Sequence, residues 1–164
     1  MKHPVTQTHN GVMVYVDLVR SPAAAHIASQ PHLLGLVREV LAKRSLNTAE
    51  IRMEQDMGRP IGYDFVAPTT ESDTVFYAQL LRQNTYTRFV KKGEPLATTY
   101  LTIILKRDDS GAYELRDTWI GHLSPPLPGA TNESQDSKTY WSNHAHIFDK
   151  QPLQLRSVTK VCPY

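Results

Sequence analysis

The sequence predicts an α+β fold, with N-terminal helices packed on a curved, mainly antiparallel β-sheet that has a central hairpin at residues 101–120. Three observations lead there. Leu101–Lys106 is a β-branched run, followed by turn residues and a second alternating run, Tyr113–Ile120. Upstream, Leu33, Leu34, Val37, Val40 and Leu41 recur at helical spacing. The other apolar stretches are short and alternate with polar residues, as half-buried strands do.

The hairpin is the best-defined element. In its first arm Leu101, Ile103 and Leu105 share one face, with Thr102, Ile104 and Lys106 on the other. Asp108-Asp109-Ser110-Gly111 supplies turn chemistry, and Gly111 takes a positive φ without steric cost. Alternation then sets Tyr113, Leu115, Asp117 and Trp119 opposite Glu114, Arg116, Thr118 and Ile120. Strand-like segments before and after the hairpin offer partners on both sides, so it belongs near the sheet centre.

Along the chain, Met1–Asn10 reads as a loose polar tail and Val12–Val19 as a strand or extended lead-in. Ser21-Pro22 opens a helix over Pro22–Ser29, with a hydroxyl to cap it and proline at its first position. A second helix, Pro31–Arg44, docks its Leu/Val stripe on the sheet. Ala49–Gln55 and Ile61–Val66 follow as strands, packing Ile51 and Met53 on one face and Ile61, Tyr63 and Phe65 on another. Pro60 marks an edge or a strand start. At Thr74–Leu81, Asp73 could cap a helix, but Thr74, Val75, Phe76 and Tyr77 favour a strand. Arg82–Glu94 alternates as a further strand or extended excursion. Residues 124–137 form a surface loop, stiffened by Pro125, Pro126 and Pro128. Ser137 starts a short helix through Tyr140, Trp141 and His144, and Gln154–Lys160 is a last edge strand.

With 164 residues the chain reads as one domain, long enough for its own core. Its net charge of +2 does not by itself announce a nucleic-acid binder. The distribution says more, because Arg82–Arg107 holds six cations against Glu94 alone. Such a stripe can meet an anion, or it can be a Lys-guarded sheet edge in solvent. Cys162 is the only cysteine, which excludes an intrachain disulfide and a thiolate metal cluster. The start of the chain shows no signal-peptide pattern and no stretch has the length of a membrane span, so the expected location is cytoplasmic.

Several chemistries lack their motifs. His144-x-His146 is the only close histidine pair, with no HExxH or neighbouring carboxylate pair to complete a metal site. There is no GxGxxG, Walker loop or GxSxG elbow. No cofactor and no metal are expected. The remaining Arg, Tyr, Thr and His residues suit metal-independent RNA cleavage, which needs a base, an acid and cations against the phosphorane. In that reading His144 is the acid/base, Arg82 and Arg88 clamp phosphate, and Thr118 and Tyr86 position it. Trp119 or Trp141 can stack a base. Each has a plain structural role open to it as well: Trp119 in the core, Tyr86 packing on a sheet face, His144 bonded to backbone at a helix end.

The order of segments carries a resemblance. A helical N-terminal part precedes Asp73-Thr74-Val75-Phe76-Tyr77-Ala78 and Tyr86-Thr87-Arg88-Phe89-Val90-Lys91. The hairpin then ends in Leu115-Arg116-Asp117-Thr118-Trp119-Ile120-Gly121, and a Pro-rich exit leads to Tyr140-Trp141-Ser142-Asn143-His144-Ala145. From Asp73 to Ala145 this resembles small bacterial proteins that share the layout of the barnase–EndoU–colicin–RelE nuclease superfamily. The resemblance implies a curved sheet with the active site on its concave face, and RNA and a neutralising protein as partners. It assigns Arg88 to the phosphate, Thr118 to the late strand and His144 to acid/base work. The alternative on the same scaffold is a non-catalytic binding protein whose basic sheet face holds a protein partner or a small anion.

Overall fold

The computed structural model describes residues 1–81, 83–91, 94–148 and 155–164. These hold three helices and twelve strands, mostly antiparallel, in two five-stranded sheets and a two-stranded ladder rather than a single sheet. Within the span expected as one domain, the chain divides into two compact units, Met1–Gly62 with Thr98–Leu123, and Tyr63–Ala97 with Ser124–Tyr164.

The first unit is built on the hairpin. Strands β9 (Tyr100–Arg107) and β10 (Tyr113–Ile120) pair antiparallel at the interior of a sheet ordered β1-β2-β10-β9-β3. Here β1 is Lys2–Gln7, β2 is Met13–Asp17 and β3 is Glu50–Asp56. Most of the expected tail is therefore an edge strand, paired antiparallel to β2. The Asp108 carboxylate accepts from the Ser110 amide (2.9 Å) and hydroxyl (2.6 Å), and Gly111 sits at φ 88°, so the turn forms as its residues dictate.

One sequence-based face assignment changes. The register of β10 against β9 slips between Leu115 and Asp117, a β-bulge that reverses the alternation. Thr118 and Ile120, expected opposite Leu115, therefore join it in the core, beside Ile103 and Leu101. The Ser21 hydroxyl lies at the bulge, with the carbonyls of Leu115 (2.9 Å) and Arg116 (2.8 Å) both within reach of its proton. It also accepts from the Ala23 amide at the start of α1 (Ala23–Ser29), so one serine serves the helix start and the bulge together. Helix α2 (Leu33–Leu41) buries Leu33, Val37 and Leu41 in the same core as Leu101, Ile103 and Leu105. That is the docking its stripe predicts.

The second unit is a sheet ordered β12-β6-β7-β11-β5. Its members are β5 (Val66–Pro68), β6 (Val75–Leu80), β7 (Tyr86–Val90), β11 (His144–Ile147) and β12 (Leu155–Thr159). The β-branched and aromatic residues of Val75–Tyr77 prevail over the cap at Asp73, whose carboxylate instead accepts from the Thr70 amide at 2.7 Å. Strand β12 is an edge, as expected, and β7 is central. One face packs Ala67, Val75, Val90, Ala145 and Ile147; the other packs Phe76, Ala78, Phe89 and Phe148. Helix α3 (Ser137–Asn143) runs directly into β11, so His144 both caps the helix end, as expected, and opens the strand.

The Pro-rich stretch before α3 carries no helix or strand among the described residues. The Trp141 indole anchors it by donating to the Pro125 carbonyl at 3.0 Å. Short strands β4 (Gly62–Asp64) and β8 (Leu96–Thr98) pair with each other. Tyr63 and Phe65, expected to pack, are exposed: Tyr63 lies in this ladder of two short strands, and Phe65 in the bend between β4 and β5.

Ile103 is fully buried between the helices and the sheet, so Ile103→Ala is expected to destabilise by about 2–5 kcal/mol. Exposed Lys91→Ala is expected to change stability by less than about 1 kcal/mol. Urea unfolding midpoints check both. Equal midpoints for Ile103→Ala and the wild type would contradict the core assignment.

Candidate functional site

The residue that organises the second unit's polar groups is Arg88. It lies on β7 with only 8% of its surface exposed. Alternation puts its side chain on the face opposite Phe89, the face shared by Tyr86 and Val90. Three of its five N–H groups are used. Nε donates to the Tyr77 hydroxyl at 3.3 Å, directly across the β6–β7 register. Nη1 donates to the Thr69 hydroxyl at 2.7 Å and to the His144 carbonyl at 3.2 Å. Strands β6 and β11 and the residue following β5 are thus fastened to β7 by one side chain. Among the described residues none of its partners is a carboxylate, and Nη2 makes no hydrogen bond.

Tyrosines border this cation. Burial raises the Tyr77 phenol's pKa, while the bond from Arg88 pulls it back down. Tyr164 meets Tyr77 edge-on, ring centroids 5.9 Å apart and planes at 88°. Its hydroxyl is sealed from solvent with no hydrogen-bond partner among the described residues. Desolvation pushes that phenol up to about 12, so it stays protonated. Tyr86 lies two residues before Arg88 on the same face and reaches over β6 to the Ser157 hydroxyl, 3.2 Å away on β12. The result is a face of hydroxyls around one buried cation. Burying a charge without an opposite charge is costly, and sites that accept the cost commonly meet an anion.

The other sequence-predicted residues fall elsewhere. His144 contributes its carbonyl to Arg88, but its imidazole stacks on Tyr140 at 3.9 Å and 2°, with Nδ1 bonded to the Tyr140 carbonyl at 3.0 Å. It shares a sheet face with His146 and Phe89, so its ring lies on the side of the sheet away from the guanidinium. Thr118 is in the first unit, fully buried, with its hydroxyl donated to the Thr102 carbonyl at 2.8 Å. Arg82 lies outside the described residues, as does Lys92 of the basic stripe. Lys106 stands between Glu50 and Glu114 in the ladder, so its charge is matched locally. Trp141 is buried and stacks on His146 at 5.0 Å and 10°, while Trp119 donates from its indole to the His122 carbonyl at 3.0 Å.

Sequence reasoning missed Tyr77, Thr69 and Tyr164. Tyr77 had a usable signal, since folding Thr74–Leu81 and Tyr86–Val90 as a hairpin can set it beside Arg88. It also missed two His–carboxylate pairs of the first unit. His26 Nδ1 lies 3.1 Å from the Asp117 carboxylate, and His122 Nδ1 lies 2.7 Å from that of Glu54. Among the described residues no three His, Cys, Asp or Glu side chains gather as a metal ion would require, and no helix is long and apolar enough to cross a membrane. Compared with protein-family models, curated proteins and solved structures, the chain matches none.

Two histidines give opposite pH signatures. Burial against Trp141 and Phe89 holds His146 neutral, its pKa pushed down to about 4. The unfolded chain takes up that proton near pH 6.5 and the folded one does not, so acid removes stability, by about 2 kcal/mol at pH 5. The hydrogen bond to Asp117 raises the pKa of His26, whose contribution is full below the unfolded pKa and fades as pH rises through the folded one. His146→Phe is therefore expected to lose less melting temperature than the wild type between pH 7 and pH 5. Equal losses in thermal melts would contradict the assignment.

Proposed function

We propose that this protein is a binding protein that holds a small oxyanion against Arg88. One observation carries the reading: a buried guanidinium with no carboxylate partner among the described residues, bordered by protonated phenols. The groups it bonds, the Tyr77 and Thr69 hydroxyls and the His144 carbonyl, are neutral, and its Nη2 keeps protons to donate. A buried cation with protons left to donate suits an anion and nothing cationic.

This reading is favoured over metal-independent cleavage of RNA by a toxin-like nuclease with a curved sheet and a neutralising partner. Cleavage needs an acid/base within hydrogen-bond reach of the clamped phosphate. The His144 ring, committed to Tyr140 and on the other sheet face, does not offer one beside Arg88.

Binding to the folded state raises stability in proportion to ligand concentration over Kd. Inorganic phosphate is accordingly expected to raise the melting temperature of the wild type, while chloride at equal ionic strength does not. Arg88→Lys keeps the charge but loses the fork, and Arg88→Met loses both; phosphate affinity is expected to fall about 10- to 100-fold in each, the loss of a charge-assisted hydrogen bond. Calorimetry on the folded variants checks this. Unchanged affinity in both, or chelator-resistant cleavage of total RNA that His144→Ala abolishes, would overturn the reading in favour of the nuclease.

A further inference from the structure

We propose that this chain forms a two-fold symmetric dimer in which the edge strand β3 of one copy pairs antiparallel with β3 of a second. The two five-stranded sheets have four edges, and three of them carry features that block a further strand. Strand β1 holds Pro4 and a bulge between Pro4 and Thr6. Strand β12 is bulged between Leu155 and Ser157. Strand β5 has three residues and ends at Pro68. Strand β3 is different: all seven of its residues pair with β9 without a register shift, and it contains no proline.

The backbone of β3 is set to continue the sheet. Its register with β9 runs on into two flanking bonds, from the Arg107 amide to the Ala49 carbonyl (2.8 Å) and from the Met57 amide to the Thr99 carbonyl (2.8 Å). In an antiparallel ladder, residues that bond one neighbour alternate with residues whose backbone groups face the other way. The odd-numbered residues from Ala49 to Met57 therefore bond toward β9, and Glu50, Arg52, Glu54 and Asp56 turn their amides and carbonyls to the open edge. All four are exposed, and among the described residues no strand pairs with them on that side.

The charges select a second copy as the occupant. An edge guarded by one sign of charge repels its own copy, whereas β3 changes sign between Glu50 and Arg52. Arg52 makes no ion pair among the described residues. Antiparallel pairing centred on Ile51 sets Glu50 of each copy opposite Arg52 of the other and opposes no like charges. Centring on Arg52 or Glu54 opposes that residue to itself, and centring on Met53 opposes Glu50 to Asp56. Glu50 and Arg52 both face outward with their backbone groups, so each opposed pair also exchanges two main-chain hydrogen bonds.

The test is sedimentation of the full chain over a concentration series. The wild type is expected to be a dimer that dissociates on dilution, since a single strand pair is a small interface. Arg52→Glu opposes like charges at both pairs, and so does Glu50→Lys. Each variant alone is expected to weaken dimerisation about 10- to 100-fold, as two cross-strand pairs turn from attraction to repulsion. An equal mixture of the two is expected to restore it, because each copy then meets the opposite charge at both positions. Glu50 also stands beside Lys106 in the β9 ladder, and recovery on mixing separates the interface from any loss of stability there. A wild type still monomeric at about 1 mM, where even a weak strand pair associates, overturns the proposal. So does a dimer that both variants leave unchanged, or a mixture that stays monomeric.

Discussion

A guanidinium buried on the middle strand of a sheet has to be surrounded by oxygens, and the second unit is arranged to supply them. Arg88 draws one acceptor from β6, one from the residue after β5 and one from the first carbonyl of β11. Two of these contacts tie β7 to its neighbours β6 and β11, and the third reaches past β11 to the end of β5. Helix α3 passes into β11 without a loop, and the β11 carbonyl that Arg88 bonds is that of His144, the residue immediately after the helix. None of the acceptors carries charge, so the sheet is tied together by a cation it does not neutralise. Structure and proposed function therefore depend on the same side chain, and replacing Arg88 is expected to touch both.

The first unit rests on a different constraint, the bulge in β10. Without it Thr118 and Ile120 would face away from Leu115; with it they close the core above Ile103 and Leu101. The hairpin, its turn and the α2 stripe were all legible, because each is set by residues within a few positions of one another. The bulge was not, because nothing between Leu115 and Asp117 differs from an ordinary alternating strand. Its stabilising partner, Ser21, lies 94 residues away from Leu115. Thr118 looked like a sheet-face donor for that reason alone, and in the core its hydroxyl is spent on a backbone carbonyl.

The candidate site divides the same way. Arg88 could be singled out from its residue type and strand, and Tyr86 from its position two residues earlier on the same face. Their partners could not, since Thr69 is 19 residues away from Arg88 and Tyr86 meets Ser157 across 71. His144 shows how sequence proximity misleads: it does meet Arg88, but through the backbone, and strand alternation turns its ring to the other side. Of the described members of the basic stripe, Lys106 is flanked by glutamates and Lys91 is set over the Phe76 ring at 5.8 Å.

The central claim is that the Arg88 cation, uncompensated by any described carboxylate, is where an anion sits. The most direct measurement is the nitrogen–proton NMR signal of the Arg88 Nε group during titration with inorganic phosphate, assigned by its absence in Arg88→Lys. Its bond to Tyr77 slows exchange with solvent enough to make the signal a fitting probe. Phosphate bound at Arg88 gives a saturable shift of that signal, shared by the Tyr77 and Thr69 resonances and not produced by chloride at the same ionic strength. An Arg88 signal that stays in place at phosphate concentrations that shift resonances elsewhere in the protein would contradict it.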